Sequence, residues 1–239
     1  EDDYVIQNQG LPFNLMNREE SLYDKNLTCL YCGHKFKSKQ VLSRKAIVSK
    51  KDEDMCHYYE GENPYFYDAF VCPNCGFAFT SSFKKLNKIA MEELEDKYLN
   101  KIEIPQNLGG PRDIKQAEKS YKLALLCGTI TKQKDLALAQ ICLRIAWLNR
   151  YQENKEEENR FLENALKLYT KAYETENLDA NPANRDLILY LIGELNGRLG
   201  NIEETRKWFS IIIGNRQSDK AILNLTRERW LDYKYEQAT

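Results

Sequence analysis

The sequence predicts an α+β protein, mostly α, in which a small β domain precedes a longer helical domain. Three observations lead to this class: two cysteine pairs with the same spacing, strand-favouring residues around them, and a change to helical hydrophobic periodicity after residue 83. The length of 239 residues allows one large domain or two small ones. A hydrophobic fraction of 42% is enough for a core and argues against disorder.

The charge balance excludes several classes of protein. Lysine and arginine number 35 and the acidic residues 36, so the net charge is −1 and a general polyanion binder is not expected. No apolar run approaches the roughly 18–20 residues of a membrane span, so we expect no membrane association. No basic start followed by an apolar stretch marks a signal peptide, although whether a leader precedes Glu1 stays open.

The cysteines predict a metal site rather than a disulfide framework, because their number is odd and four of them form two C-x-x-C-G units. Each unit, at 29–33 and 72–76, can fold as a tight turn that directs two sulfurs at one point, and the final glycine permits a positive φ. We predict that one structural Zn²⁺ is bound by Cys29, Cys32, Cys72 and Cys75. Two redox pairs, or an iron site on the same sulfurs, are the alternatives. Cys127 and Cys142 lie in apolar helical patterns typical of buried cysteines.

The β domain is predicted over residues 29–83, as a zinc-ribbon-like fold with an inserted loop at 50–64. Residues 34–49 suggest two strands or one long bent strand. Tyr65–Val71 is rich in strand-favouring aromatic residues, and Phe77–Phe83 continues as a closing strand. Residues 1–28 show no clear period and predict an irregular N-terminal arm with a short helix around Asn17–Tyr23.

Helical periodicity begins at residue 84. Residues 84–111 are predicted as a helix and a connector, and residues 112–239 as a helical repeat domain. The predicted helices are Leu86–Leu99, Ile114–Cys127, Leu136–Tyr151, Lys155–Thr175, Arg185–Leu199, Glu203–Ile213 and Asp219–Tyr235.

An internal repeat further defines the helical domain. The segment from Leu189 to Ile212 follows the tetratricopeptide consensus, with small Gly193 allowing close helix approach and Gly200-Asn201 forming the turn. An earlier copy of the repeat has Ala146 at the position equivalent to Gly193. The two residues are 47 positions apart, so this copy is longer than the usual repeat period of about 34 residues. The extra length falls in the charged stretch Glu153–Asn159, as a longer turn or as extended helices. About three helix pairs result, which predicts a tetratricopeptide-like α-solenoid.

The order of motifs in the β domain resembles a bacterial family catalogued as domain of unknown function 2225. Besides the two cysteine pairs, the resemblance rests on Asp52-x-Asp54-x-Cys56-x-x-Tyr59 and on Asn63-Pro64-x-x-Tyr67. It covers nearly the whole chain and implies a bacterial, cytoplasmic protein with a zinc-ribbon-like head and a tetratricopeptide-like tail. It also implies that the four paired cysteines are metal ligands, and it marks the inserted loop as a family feature without giving the loop a function.

Three interpretations of the loop from Asp52 to Asn63 stay open. In the first, its polar side chains cap turns, its tyrosines pack on the β domain, and Cys56 is buried. In the second, Cys56 or His57 is a metal ligand, either in place of one of the four paired cysteines or in a second site. In the third, the loop forms a pocket in which Cys56 is a reactive thiol, or Asp52 and Asp54 exchange protons with a substrate.

The segment 33–51 carries seven positive charges and no acidic residue. A basic hairpin could contact phosphates, and Tyr31, Phe36 and Tyr58 could stack on bases. The candidate nucleic-acid contacts are Lys35, Lys37, Lys39, Arg44 and Lys45. The alternative is a solvated strand face whose charge the acidic loop after it nearly cancels.

The helical repeats predict a groove for a partner, with Asn149, Arg150 and Asn196 at or near positions that commonly face it. The alternative is that the helices pack on the β domain or mediate self-association. No phosphate-binding loop, nucleophile elbow or H-E-x-x-H motif is present. We therefore expect a non-enzymatic scaffold or adaptor that binds a protein or peptide. A nucleic-acid-associated regulator is the first alternative, and an enzyme that uses the Asp52–Asn63 loop is the more distant one.

Overall fold

Strands occupy the first part of the chain and helices the rest, in a computed structural model that describes residues 20–102, 106–178 and 182–236. The strands are β1 (Leu22–Thr28), β2 (Lys35–Val41), β3 (Ile47–Lys51), β4 (His57–Glu60), β5 (Ala69–Val71) and β6 (Ala78–Thr80). The helices are α1 (Lys88–Lys97), α2 (Ile114–Ile130), α3 (Asp135–Tyr151), α4 (Lys155–Thr175), α5 (Pro182–Arg198), α6 (Ile202–Gly214) and α7 (Lys220–Glu236). The predicted α+β class with mostly α content is confirmed.

The strands form three antiparallel hairpins, β1–β2, β3–β4 and β5–β6. In the first and third hairpins, the connection between the two strands is a C-x-x-C-G unit. The last residue pairs before these units are Thr28 with Lys35 and Val71 with Ala78. The second hairpin closes on the turn at residues 52–56. We call residues 22–83 the head and residues 114–236 the helical tail.

Parts of the head differ from the sequence-based expectation. Leu22–Thr28 was expected within an irregular arm but forms β1, whose polar residues conceal the alternation because only Leu22 is buried. Residues 1–19 lie outside the described part of the chain. Residues 64–67 form a 3₁₀ turn instead of the start of a strand, because Asn63 accepts the backbone N–H of Tyr65 at 2.9 Å and Pro64 suits the first position. The inserted loop contains β4, so it is a hairpin with β3.

The helices agree with their predicted limits to within three residues. Only residues 152–154 separate α3 from α4, and α4 has 21 residues. The extra length of the first predicted repeat therefore lies in extended helices rather than in a longer turn. Helix α2 begins at a capping box between Asp113 and Gln116, which satisfies two backbone donors at its N-terminus.

One hydrophobic cluster joins the head to the helical tail. It contains Phe70 and Phe79 of the head together with Tyr121 of α2 and Ile145 of α3. A Cβ atom on Gly128 of α2 would lie 2.7 Å from both the Phe83 ring and the Leu138 side chain. Glycine at this position therefore allows α2 to lie directly against the end of the head.

Arg112 ties the connector before α2 to the head. Its side chain is buried and donates to the carbonyl oxygens of Leu108 at 2.6 Å, Phe66 at 3.0 Å and Ala69 at 2.6 Å. Burial lowers the pKa of this guanidinium to about 10, so it stays charged at neutral pH. Backbone carbonyls, rather than a carboxylate, satisfy most of its donors.

Candidate functional site

The two C-x-x-C-G units form matching turns at the tips of β1–β2 and β5–β6. The N–H of Gly33 donates to the carbonyl of Cys29 at 3.1 Å, and the N–H of Gly76 donates to that of Cys72 at 2.9 Å. Both glycines have a positive φ, of 71° and 78°. A side chain would be strained there, which is why the local sequence ends each unit with glycine.

These turns bring four sulfurs together. The Sγ atoms of Cys29, Cys32, Cys72 and Cys75 all lie within 4.8 Å of one another. The Sγ–Sγ distance is 3.7 Å both between Cys29 and Cys75 and between Cys32 and Cys72. Sulfurs about 2.3 Å from a tetrahedral ion are about 3.8 Å apart, so the cluster has the dimensions of a four-thiolate metal site. All four positions would be filled by protein, leaving none for substrate.

The thiols also influence one another's ionisation. The hydrogen bond from Cys75 lowers the pKa of Cys29 to about 5, with support from the backbone N–H groups of residues 31 and 32. The same hydrogen bond raises the pKa of Cys75. A bound cation would favour the thiolate form of all four cysteines.

The turn of the β3–β4 hairpin, residues 52–56, packs against the helical tail. Arg150 of α3 donates to Asp52 at 2.8 Å and to both carboxylate oxygens of Asp54, at 2.9 and 2.6 Å. Asp54 is fully buried and also accepts from the indole N–H of Trp147 at 2.9 Å. Arg198 of α5 lies 3.7 Å from Asp54.

The partners of Asp54 set its charge. Burial alone would raise the pKa of this carboxyl, but the hydrogen bonds from Arg150 and the charge of Arg198 hold it below its usual value. The pKa of Asp52 is also lowered: burial opposes the shift, and hydrogen bonds from Lys50 and Arg150 outweigh it. Both carboxylates are therefore charged at neutral pH. Their ion pairs and hydrogen bonds hold the β3–β4 hairpin against α3 and α5.

Cys56 lies apart from the four-sulfur cluster. Its thiol is fully buried and donates to the hydroxyl of Tyr151 at 3.3 Å. Burial raises the pKa of Cys56 to about 12, so the thiol is protonated at neutral pH and lacks the thiolate character of a nucleophile. His57 is not in the cluster either: its Nδ1 lies 2.7 Å from the hydroxyl of Tyr65.

Two basic residues of the first hairpin form ion pairs within the chain. Lys37 and Lys39 lie 3.6 and 2.9 Å from carboxylate oxygens of Asp24 on the neighbouring strand. The remaining basic candidates, Lys35, Arg44 and Lys45, are exposed on β2 and in the turn after it. Binding of nucleic acid through these residues stays a prediction.

The aromatic residues proposed to stack on bases pack within the chain. Tyr31 donates to Glu95 at 2.6 Å, and Phe36 is buried in the hydrophobic cluster. The ring of Tyr58 packs edge-on against Tyr151 at 5.2 Å, and its hydroxyl donates to Asp52 at 3.0 Å. Stacking on a base would require these rings to leave their contacts.

The three residues expected to face a partner groove, Arg150, Asn149 and Asn196, do not lie together on an open groove. Arg150 binds the hairpin of its own chain, as described above. Asn149 is buried and donates to Glu118 at 3.3 Å. Asn196 is buried, and it is one of the residues that line a cleft between α4 and α6. The sequence did not predict that the β3–β4 hairpin packs against α3. Nothing in the local sequence around Asp52 and Asp54 indicates that their partner is Arg150, which lies far along the chain.

The geometry defines an α+β protein, mostly α, with a closed four-cysteine cluster able to hold a structural metal. The chain belongs to the family described as an uncharacterized protein conserved in bacteria (DUF2225), whose model matches residues 22–233. The predicted resemblance is thereby confirmed. Comparisons with curated proteins and with solved structures give no match. Among the helices of the described ranges, none combines the length and apolar character needed to cross a membrane.

Proposed function

We propose that this protein is a zinc-dependent scaffold that binds a protein partner through a tetratricopeptide-like helical tail. Zinc is supported by the donor set and by the spacing. Four thiolates at tetrahedral distances suit Zn²⁺, and a site without an open position stabilises a fold rather than catalysing a reaction. A metal held by both cysteine turns would join the β1–β2 and β5–β6 hairpins, which form separate sheets.

The tetratricopeptide-like assignment is supported by the contact between α5 and α6. A Cβ atom on Gly193 would lie 2.4 Å from the Phe209 ring, so only glycine permits this approach. Thr205 donates to the carbonyl of Gly193 at 2.9 Å, and Gly200 has a φ of +83° in the turn between the helices. These are the roles that the consensus gives to its small and turn residues.

The observation that carries the partner proposal is a pair of shallow clefts on one face of the tail. They flank Tyr173 of α4 and Trp208 of α6, whose rings meet edge-on at 5.5 Å. Tail residues alone line both clefts, so the hairpin that covers part of α3 and α5 does not reach them. We call this surface, defined by Thr170, Tyr173, Trp208 and Ile211, the α4–α6 face.

A photo-crosslinking experiment tests the proposal with matched positions. Ile211 on the α4–α6 face and Leu126 on α2 are 44% and 45% exposed. Each is replaced, in the full-length protein expressed in bacteria, by a photoreactive phenylalanine analogue. We expect a discrete crosslinked polypeptide from position 211 and none from position 126. The position-211 adduct should also be lost when Trp208 is changed to Ala, because that truncation removes the aromatic centre of the face.

Two results would contradict the proposal. The first is the same set of adducts from positions 211 and 126, which would mean that contact follows exposure alone. The second is no adduct at either position in a protein that is folded and contains zinc. Zinc content and helical circular dichroism of each variant control for folding.

A further inference from the structure

A cavity of about 420 Å³ lies where the head meets helices α2 to α5. This volume falls within the roughly 300–1,000 Å³ typical of small-molecule sites. Buried aromatic side chains, those of Tyr121, Trp147 and Tyr169, form part of its wall. Ser81, Ser82 and Gln140 are exposed polar lining residues. The cavity is separate from the four-cysteine cluster and from the α4–α6 face, because none of their defining residues lines it.

Arg144 of α3 is the cation of this cavity. Its guanidinium carbon lies 3.7 Å from the centre of the Tyr65 ring and 4.5 Å from that of Trp147. Its Nη1 atom is buried and makes no hydrogen bond to any described residue. A guanidinium is always charged and its donors are costly to leave unpaired, so this atom favours an acceptor supplied by a ligand.

Asp68 lines the same cavity and interacts with Arg144 through charge but not through a direct contact. No ion pair within 4.0 Å joins these two residues in the described part of the chain. Burial raises the pKa of Asp68, an effect that nearby cations only partly offset. The cavity thus offers one unpaired cationic donor beside a carboxyl group. When that carboxyl is ionised, it would repel a ligand with two negative charges about twice as strongly as a ligand with one.

We propose that the cavity binds a small monocarboxylate with a flat apolar body. The carboxylate accepts a charge-assisted hydrogen bond from Nη1 of Arg144. The body lies against Trp147 and Tyr169, whose rings supply an apolar wall. A single free guanidinium donor fits one carboxylate better than a phosphate, which would need more donors to satisfy its oxygens.

The first test compares two probes on the unmodified, zinc-containing full chain. Fluorine NMR follows the titration of 4-fluorophenylacetate and of its neutral amide, which has nearly the same shape. We expect saturable binding of the acid and at least about tenfold weaker binding of the amide, because the amide carbonyl can still accept a hydrogen bond but lacks the negative charge of the carboxylate. Equal affinity of the two probes, or no saturable binding of the acid, would overturn the proposal.

Two arginine variants test whether the acid binds in this cavity. Arg144→Met removes the cation of the cavity, and Arg160→Met removes an arginine that stacks on Phe161 at 4.6 Å outside it. We expect Arg144→Met to weaken binding of 4-fluorophenylacetate at least about tenfold and Arg160→Met to leave it unchanged. Unchanged binding in a folded Arg144→Met protein would overturn the assignment. If Arg144→Met does not fold, the comparison of acid and amide on the unmodified chain still decides the question.

Discussion

At the scale of single residues, Asp54 is a fully buried carboxylate held by groups from two helices. Arg150 and Trp147 of α3 hydrogen-bond to it directly, and Arg198 of α5 lies nearby. A buried ion pair of this kind contributes little net stability compared with an apolar contact of the same shape. Removing one partner is different, because the remaining charges are then only partly compensated: without Asp54, Arg150 keeps Asp52 and Glu158, each at 2.8 Å.

We expect Asp54→Asn to lower the free energy of unfolding by about 1–3 kcal/mol, because Arg150 loses its bidentate partner while Asp52 and Glu158 still compensate part of its charge. Urea denaturation followed by circular dichroism measures this change. Asp24→Asn is the matched control, since Asp24 pairs with Lys39 at the surface, where the side chains are 42% and 31% exposed. We expect no measurable change from it. Equal effects of the two substitutions would refute this account of the hairpin contact.

The lowered pKa of Asp54 predicts how the stability difference between the unmodified protein and Asp54→Asn depends on pH. A carboxyl whose pKa is lower in the folded state stabilises the protein above its unfolded pKa of about 3.9, and this contribution is lost as the pH falls through the folded pKa. The stability difference between the unmodified protein and Asp54→Asn should therefore be full at pH 7 and shrink below about pH 4. Urea titrations at several pH values check this, and a difference that grows towards acid would contradict it.

At the scale of elements, local spacing made the two cysteine turns predictable. Each is set within five consecutive residues, and a glycine with positive φ ends each one. The helices were predictable for a similar reason, because their periodicity is read within one segment. Strand β1 was missed since most of its side chains are polar and exposed. The 3₁₀ turn at residues 64–67 was missed because aromatic residues favour strands on average, whereas the Asn63 cap and Pro64 decide the local conformation.

The packing of α5 against α6 gives a prediction for these elements. Gly193→Ala should lower the free energy of unfolding by about 1–3 kcal/mol, because the new methyl group would overlap the buried Phe209 ring. Gly214→Ala is the matched control: it lies in the last position of α6, and no atom is within 4 Å of the added Cβ. We expect the control to be neutral or slightly stabilising in thermal or urea denaturation. A neutral Gly193→Ala would contradict the close helix contact.

At the scale of the whole molecule, the head and the helical tail share one hydrophobic cluster and one buried ion-pair network. The sequence could not reveal this, since the residues that meet are far apart along the chain. Asp54 and Arg150 are 96 positions apart, and the two charged residues of the cavity, Asp68 and Arg144, are 76 apart. The four-cysteine cluster could be predicted because its members form two local motifs, whereas the cavity depends on tertiary packing alone.

The shared core predicts that metal removal destabilises the tail together with the head. Chelation should shift the urea transition of the helical circular dichroism signal to lower denaturant, by about 4 kcal/mol or more if free metal exceeds its Kd by about 1,000-fold. The exposure of thiols in the head should follow the same single transition. Re-addition of zinc should restore the original midpoint. A helical transition that chelation does not move would contradict the coupling of the two parts.

The measurement that tests the central claim most directly is the metal content of the purified full-length chain under reducing conditions. It is made for the unmodified protein, for Cys32→Ser in the cluster, and for Cys142→Ser, a buried cysteine outside the cluster. The account predicts one zinc per chain in the unmodified protein and in Cys142→Ser, and a loss of most of the zinc in Cys32→Ser. Iron in place of zinc, two zinc ions per chain, or full zinc content in Cys32→Ser would contradict a single zinc held by the four paired cysteines.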